Sequence, residues 1–510
     1  MMRINWINSF IETARRLPDA IAVTDGERDF TFSDILNAET ALAGIILERT
    51  NRVVCRPLAV FLPKCAETVI ADTAIIHSGN AYMNMDVKTP PDRLAGILTT
   101  IRPALILTDA KNAKIIEPIA AGIPVVCLDL STLSTASVTL EELNSRIGSL
   151  IDTDPFCLIN TSGSTGTPKG VVLNHKSFFD FIDCATETWD LKDGEIIGSL
   201  SPVIFDIYSF ELCMMFAKGA RIVLIPDSWA MFPIKILELL AQKRVSFIFW
   251  VPTIMVNIAN MGLLEKISIP DLKMIWFAGE VFPTQQFNVW RKRLSHARFV
   301  NLYGPIEITL DCTWFEVTRD IPDDEPIPIG FPCRNSDVLI LNDENRSATD
   351  SEEGELCVRG TSLAMGYYNN PEKTAAAFVQ NPLNSAYPEL IYRTGDIVCR
   401  NWRGEIVFKG RKDSLVKHSG YRIELAEIEH VIINTLKLVQ NGCVVYNFKA
   451  REITLFYEAT QELNIAEFRK RVAAKLPKYM IPTVCLRMES LPRGGTGKVD
   501  RALLNKQVNG

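Results

Sequence analysis

Within "NTSGSTGTPKGVVLNH" (Asn160–His175), five hydroxyl side chains, closely spaced glycines, one proline and one lysine separate the apolar "FCLI" (Phe156–Ile159) from the apolar "VVL" (Val171–Leu173). Glycines let a backbone turn tightly and approach a ligand with no Cβ in the way. Thr161, Ser162, Ser164, Thr165 and Thr167 can each donate a hydrogen bond, and Lys169 adds a positive charge. Donors at this density suit phosphate oxygens. The stretch is not the usual lysine loop of nucleoside triphosphatases, because Pro168 stands where the second glycine belongs and a strand-like run follows it. A plain surface turn rarely combines this composition with a fixed lysine.

Working outward, short β-rich runs alternate with helical patterns. "AIAVT", "LAVFLP", "ALILTD", "PVVCLDL", "ARIVLIP" and "VSFIFWVP" read as strands, while "PDRLAGILTTI" and "PIKILELLAQKR" carry apolar residues at helical spacing. Such alternation predicts α/β architecture, with parallel-type sheets covered by helices. From about Gly330 the texture changes to "DVLILND", "GELCVRG" and "GEIVFKG", strands separated by Gly, Asn and Asp turns, which predicts an antiparallel β subdomain over about 330–411. After it, "ELAEIEHVIINTL", "NGCVVYNF", "EITLFYEA" and "IAEFRKRVAAKL" alternate helix and strand again. The expected organisation is a large unit over 1–411 and a small α+β unit over 412–510.

The chain has 510 residues, 54 Lys+Arg against 60 Asp+Glu, and so a formal charge of −6, with no broad basic surface for nucleic acid or anionic lipid. Its 12 cysteines fall singly, with no Cys-x-x-Cys pair, which argues against a zinc site or disulfide framework. "MMRINWINSF" lacks the apolar stretch of a signal peptide, and no apolar run reaches the ~20 residues of a spanning helix. A cytoplasmic protein with neither nucleic-acid nor membrane partners is expected.

The Thr161–Lys169 loop resembles the phosphate loop of adenylate-forming enzymes, the family of acyl-CoA synthetases, nonribosomal-peptide adenylation domains and luciferases. Further signatures follow in the family's order: "NLYGPIEIT" (Asn301–Thr309), "GELCVRG" (Gly354–Gly360), "YRTGD" (Tyr392–Asp396), "GRKDSLVKHSGYRIELAEIE" (Gly410–Glu429) and "LPRGGTGKVDR" (Leu491–Arg501). One such motif is weak, whereas six in order across nearly the whole chain are specific.

The resemblance implies a two-step reaction. A carboxylate attacks the α-phosphorus of ATP to give an acyl-adenylate and pyrophosphate, and a thiol then displaces AMP. Two anions must meet in the first step, so cations and oriented donors have to offset their repulsion. By resemblance, Thr161, Ser162, Gly163, Ser164, Thr165, Gly166 and Lys169 hold the β- and γ-phosphates, with Thr165 counted among the catalytic groups. Glu307 would bind Mg²⁺. Asn301, Leu302, Tyr303 and Gly304 would frame the adenine, with Tyr303 stacked on it, and Asp396 would accept the ribose hydroxyls beside Arg411. Lys498 matches the lysine that bridges the substrate carboxylate and the α-phosphate. Asp413 matches the hinge about which the C-terminal unit rotates between the two steps.

For the acyl group, Asp206 in "FDIYSFE" occupies the place that, in amino-acid-activating members, carries an aspartate for the α-ammonium. A carboxylate in an apolar wall is costly without a cation, although an Asp before a helical run is also a common cap. Ile207, Phe210, Phe249, Trp276, Ala278, Leu302, Leu310, Asp311 and Lys498 match further substrate-pocket positions. The bulk of Phe210, Phe249 and Trp276 favours a small substrate, though aromatic residues near strands are more often plain core. "WFAGEVFP" (Trp276–Pro283) is similar to the matching stretch of D-alanine–carrier protein ligases, which points to alanine. Asp311 complicates this, since it could pair with a basic or hydroxylated side chain or face water.

Two departures stand out: Ile306 replaces the family's usual threonine and Thr496 a frequent asparagine. Losing one charge-assisted hydrogen bond costs about 1.5–3 kcal/mol. The expected activity is that of an amino acid–carrier protein ligase using ATP and Mg²⁺. Its acceptor would be the phosphopantetheine thiol of a separate carrier protein, because the chain ends soon after Arg501, and "RKR" (Arg291–Arg293) could meet that acidic partner. An acyl- or aryl-CoA ligase and a catalytically weakened ATP-binding homologue are the alternatives.

Overall fold

The computed structural model describes residues 4–131, 133, 140–162, 168–412, 415–459, 461–493 and 499–510. Among them the chain forms two large helix-covered sheets, an antiparallel sheet and a small C-terminal α+β domain. The α/β architecture expected from the alternating runs is present.

A nine-stranded sheet has a parallel centre: Ile21–Asp25, Arg221–Leu224, Ile196–Ser199, Phe247–Trp250, Met274–Phe277 and Arg298–Tyr303 lie side by side. Its edges are antiparallel, with Arg28–Thr31 at one side and Thr313–Glu316 followed by Phe331–Pro332 at the other. The seven-stranded sheet is likewise parallel from Pro155–Thr161 to Val125–Cys127. Lys169–Asn174 then doubles back antiparallel onto Pro155–Thr161, so the hydroxyl-rich stretch joins two paired strands. That is the strand, rather than helix, expected after Lys169.

Two helices, Ala66–His77 and Asp206–Lys218, are buried nearly all round, as apolar helices lying inside a core are. Both belong to one core that gathers residues from both large sheets. The second ends on Gly219, whose φ of 63° gives the left-handed cap that glycine adopts without strain. Its first residue is Asp206, so the packing of this helix fixes where that carboxylate stands.

Behind it, Trp276 packs edge-on to Trp189 (4.8 Å), Phe247 (5.0 Å) and Phe249 (5.5 Å), and against Phe210 at 5.3 Å. Truncating a fully buried tryptophan leaves a cavity its neighbours fill only partly. Trp276→Ala is expected to lower the unfolding free energy by about 3–5 kcal/mol, read as a drop in denaturant midpoint.

The antiparallel sheet pairs Ser336–Leu341, Gly354–Gly360, Leu390–Arg400 and Phe378–Gln380, with Ile406–Arg411 beside Leu390–Arg400. Beyond it, a hairpin (Leu415–His418 with Tyr421–Glu424) leads into a three-stranded sheet, Asn441–Asn447, Glu452–Glu458 and Val484–Met488, packed with helices around a core of its own. "ELAEIEHVIINTL" is not one regular helix: an α-turn over Leu425–Glu429 widens into a π-helix over His430–Thr435. No described helix is long and apolar enough to cross a membrane.

Candidate active site

At the start of the helix Asp206–Lys218, a cavity of about 120 Å³ is lined by Asp206, Ile207, Phe249, Ala278, Gly304, Ile306, Leu310 and Asp311. Lys417 and Arg422 close it from the C-terminal hairpin. The Asp206 carboxylate is not the helix cap, which is Phe205; it accepts a hydrogen bond from the Leu310 backbone N–H at 3.2 Å. Thr309 and Leu310 both have positive φ, 53° and 63°, an uncommon and strained state for such side chains that points the Leu310 N–H at Asp206. Gly304 passes so close to this turn that a Cβ there would stand 2.1 Å from the Leu310 carbonyl oxygen.

Burial pushes the Asp206 carboxyl up to about 6. Asp311, 4% exposed, is pushed well above the usual carboxylate range by burial and by Asp206, with Lys417 pulling the other way. Burial lowers Lys417, and the nearby Asp396 charge opposes that.

Glu307 is fully buried. Its Oε1 accepts from the Tyr367 hydroxyl at 2.9 Å and its Oε2 from Arg422 at 2.6 Å. Burial works against ionisation, but the Arg422 and Lys169 charges outweigh it and hold Glu307 down at about 2. Lys169 lies over the Tyr367 ring at 4.8 Å and 3.6 Å from Glu424. Ser162 ties the hairpin down as well, donating to the Arg422 carbonyl at 2.8 Å and accepting from the Glu424 N–H at 3.2 Å. A third cluster sits alongside: Asp396 accepts from the Tyr303 hydroxyl and from Arg411 (2.5 Å), and the Lys417 ammonium is 5.9 Å from the Tyr303 ring centre. Asn301 donates to the Pro328 carbonyl at 2.7 Å, bracing the same strand end.

The structure thus brings together Ser162, Lys169, Tyr303, Gly304, Glu307, Asp396 and Arg411 with the cavity residues Asp206, Ile207, Phe249, Ala278, Leu310 and Asp311. Thr161 is the buried end of the strand before the loop. Phe210, Trp276 and Leu302 do not line the cavity; Phe210 and Trp276 back Phe249 from behind, their rings 5.6 and 5.5 Å from its own. Gly163, Ser164, Thr165, Gly166, Asp413, Thr496 and Lys498 lie outside the described residues. Arg291 and Arg293 are ion-paired, with Asp320 and Glu265, so they form a solvated helix face with its charges largely answered.

Lys417, Arg422 and Tyr367 are site groups that motif spacing did not single out. Lys417 and Arg422 sit within the quoted "KHSGYR" stretch, and two cations on a short hairpin of apolar neighbours were the available signal. Among the described residues no cluster of three or more Asp, Glu, His or Cys side chains could cage a metal. A lone carboxylate such as Glu307 fits Mg²⁺ that takes its remaining ligands from phosphates and water, provided Arg422 withdraws from Oε2.

The sequence profile of the family described as AMP-binding enzyme matches residues 10–368. The chain belongs to the AMP-binding enzymes. Over 97% of its length this AMP-binding enzyme is 29% identical to tyrocidine synthase 1 of Brevibacillus parabrevis, of which it spans 44%. It is 28% identical to the L-proline–[L-prolyl-carrier protein] ligase of Streptomyces coelicolor, covering 93% of this chain and 91% of that one. In fold it is similar to the Vibrio cholerae adenylation domain AlmE, solved in complex with glycyl-adenosine-5'-phosphate, with a TM-score of 0.84, 20% identity and coverage of 99% and 98%.

Proposed function

We propose that the chain uses ATP to convert an amino acid into its aminoacyl-adenylate with release of pyrophosphate, then passes the aminoacyl group to the phosphopantetheine thiol of a separate carrier protein. The observation that carries this is Asp206: a carboxylate in the cavity wall, hydrogen-bonded by the Leu310 backbone N–H and raised to about 6 by burial, as fits a group that awaits a cation. An α-ammonium answers that need, whereas a fatty or aryl acid leaves it unmet. The prolyl-carrier ligase and the glycyl-adenylate complex of AlmE are relatives of the matching kind. A cavity of about 120 Å³ is smaller than the roughly 150 Å³ that houses benzene in an engineered core, which favours a small side chain, alanine included.

With the α-ammonium on Asp206, the substrate carboxylate faces the Glu307–Lys169 side. One of its oxygens attacks the α-phosphorus while the bond to pyrophosphate breaks. The loop from Thr161 to Lys169 holds the departing phosphates, Asp396 and Arg411 the ribose, and Lys498 spans both anions. Mg²⁺, when bound, supplies positive charge against the phosphates, with Glu307 as its protein ligand. In the observed arrangement Arg422 covers Glu307, so we assign it to the thiol-transfer stage. Adenylation would then require the unit beyond about Lys412, which has its own core, to turn at Asp413 and bring Lys498 in. Intact-mass measurement of a phosphopantetheinylated carrier incubated with the protein, ATP, Mg²⁺ and amino acids tests this. A mass gain of one aminoacyl group supports it, and gain with carboxylic acids alone refutes it.

Asp206 also sets a pH dependence. Below about pH 6 its carboxyl is protonated in the free protein and offers no charge to an ammonium. The kcat/KM for the amino acid, which reports groups of the free enzyme, is expected to be level near neutral pH and to fall about tenfold per unit below pH 6. The partner charges in the cavity, Asp311 and Lys417, broaden the transition.

A further inference from the structure

Asp206 is not the cavity's only carboxylate. Asp311 lines the same space, is 4% exposed, and accepts no hydrogen bond from any described residue. A buried carboxylate with no donor is costly and calls for a partner. Lys417 faces the cavity, but the charge it answers first is that of Asp396. Arg422 is committed to Glu307.

On the proposed activation chemistry Asp206 takes the α-ammonium, so a monoamino acid brings no partner for Asp311. A second ammonium on the substrate would supply one. The space is small: the cavity of about 120 Å³ is also lined by Phe249, Ile207 and Ala278, with Phe210 and Trp276 packed behind Phe249. A long amine would not fit.

We propose that Asp311 binds an amino group on the substrate's side chain, so that the acid activated is a short diamino acid of the 2,3-diaminopropionate or 2,4-diaminobutyrate type. Asp311 then determines specificity, and it meets the second ammonium as Asp206 meets the first. With that ammonium in place Asp311 is held ionised, against the burial that otherwise raises it.

The test is ATP–pyrophosphate exchange with 2,3-diaminopropionate, 2,4-diaminobutyrate, alanine and serine, using the full chain and the variants Asp311→Asn and Asp311→Ala. The unaltered protein is expected to favour one diamino acid over alanine and serine by about 100-fold or more in kcat/KM, because a site built around a polar partner rejects analogues that lack it. Both variants are expected to lose that preference, read as the ratio of diamino acid to alanine exchange falling toward one. Exchange favouring alanine or serine in the unaltered protein would overturn the role of Asp311 and leave amino-acid activation standing. So would variants that keep the diamino preference. If neither variant folds, the preference of the unaltered protein decides alone. Exchange with no amino acid at all would overturn the activation chemistry itself.

Discussion

Replacing Lys498 with alanine is expected to slow adenylate formation by about 100- to 1,000-fold, the usual cost of removing one donor aimed at charge that develops in the transition state. The carboxylate and the α-phosphate are both anions, and the described arrangement supplies little free cation where they would meet: Lys169 is shared with Glu424 and Arg422 with Glu307. A lysine bridging the two reactants therefore carries an unusual share of the work. Thiol transfer from pre-formed aminoacyl-adenylate should be nearly unchanged, since no phosphate anion is attacked in that step. Rapid-quench measurement of adenylate formation, set beside transfer from synthetic aminoacyl-adenylate, separates the two. Equal loss in both would mean that Lys498 acts structurally.

Asp206→Ala should be nearly as damaging, but selectively. Breaking a partly buried carboxylate–ammonium pair costs about 3 kcal/mol, the low end of the range for buried pairs because Asp206 keeps some contact with solvent, and this corresponds to roughly 100-fold. The loss should appear in the KM for the amino acid, with the KM for ATP little changed. A matching acid without an amino group, such as propionate, should lose nothing and gain relative to alanine. Steady-state exchange with varied amino acid and varied ATP reads both terms. A uniform fall for propionate and alanine alike would place Asp206 in the fold rather than in substrate recognition.

Much of the fold could be read ahead of the structure because its signals are local. The apolar runs "ARIVLIP" and "VSFIFWVP" become strands of the same parallel sheet, one on each side of Ile196–Ser199, and Pro168 with the following "VVL" announced a strand after the lysine. Asp206 and Glu307 were reached through the resemblance of "FDIYSFE" and "NLYGPIEIT" to the family's motifs. The rest depends on distance in sequence. Arg422 meets Glu307 across 115 positions, and Tyr367 reaches the same carboxylate across 60; no periodicity encodes such pairings. Phe210 and Trp276 looked like pocket walls by position, yet side-chain direction is set by the packing of both sheets, and that packing turns them into the core behind Phe249. The π-helix over His430–Thr435 escaped notice because the same apolar spacing suits a regular helix.

The central claim is that two negatively charged reactants, one carrying an ammonium for Asp206, are joined at this cavity. ATP–pyrophosphate exchange screened across L- and D-amino acids and simple carboxylic acids tests it most directly. Strong exchange with one or a few amino acids, and none with their des-amino counterparts, is the expected outcome. Exchange driven equally well by acids lacking the amino group would contradict it.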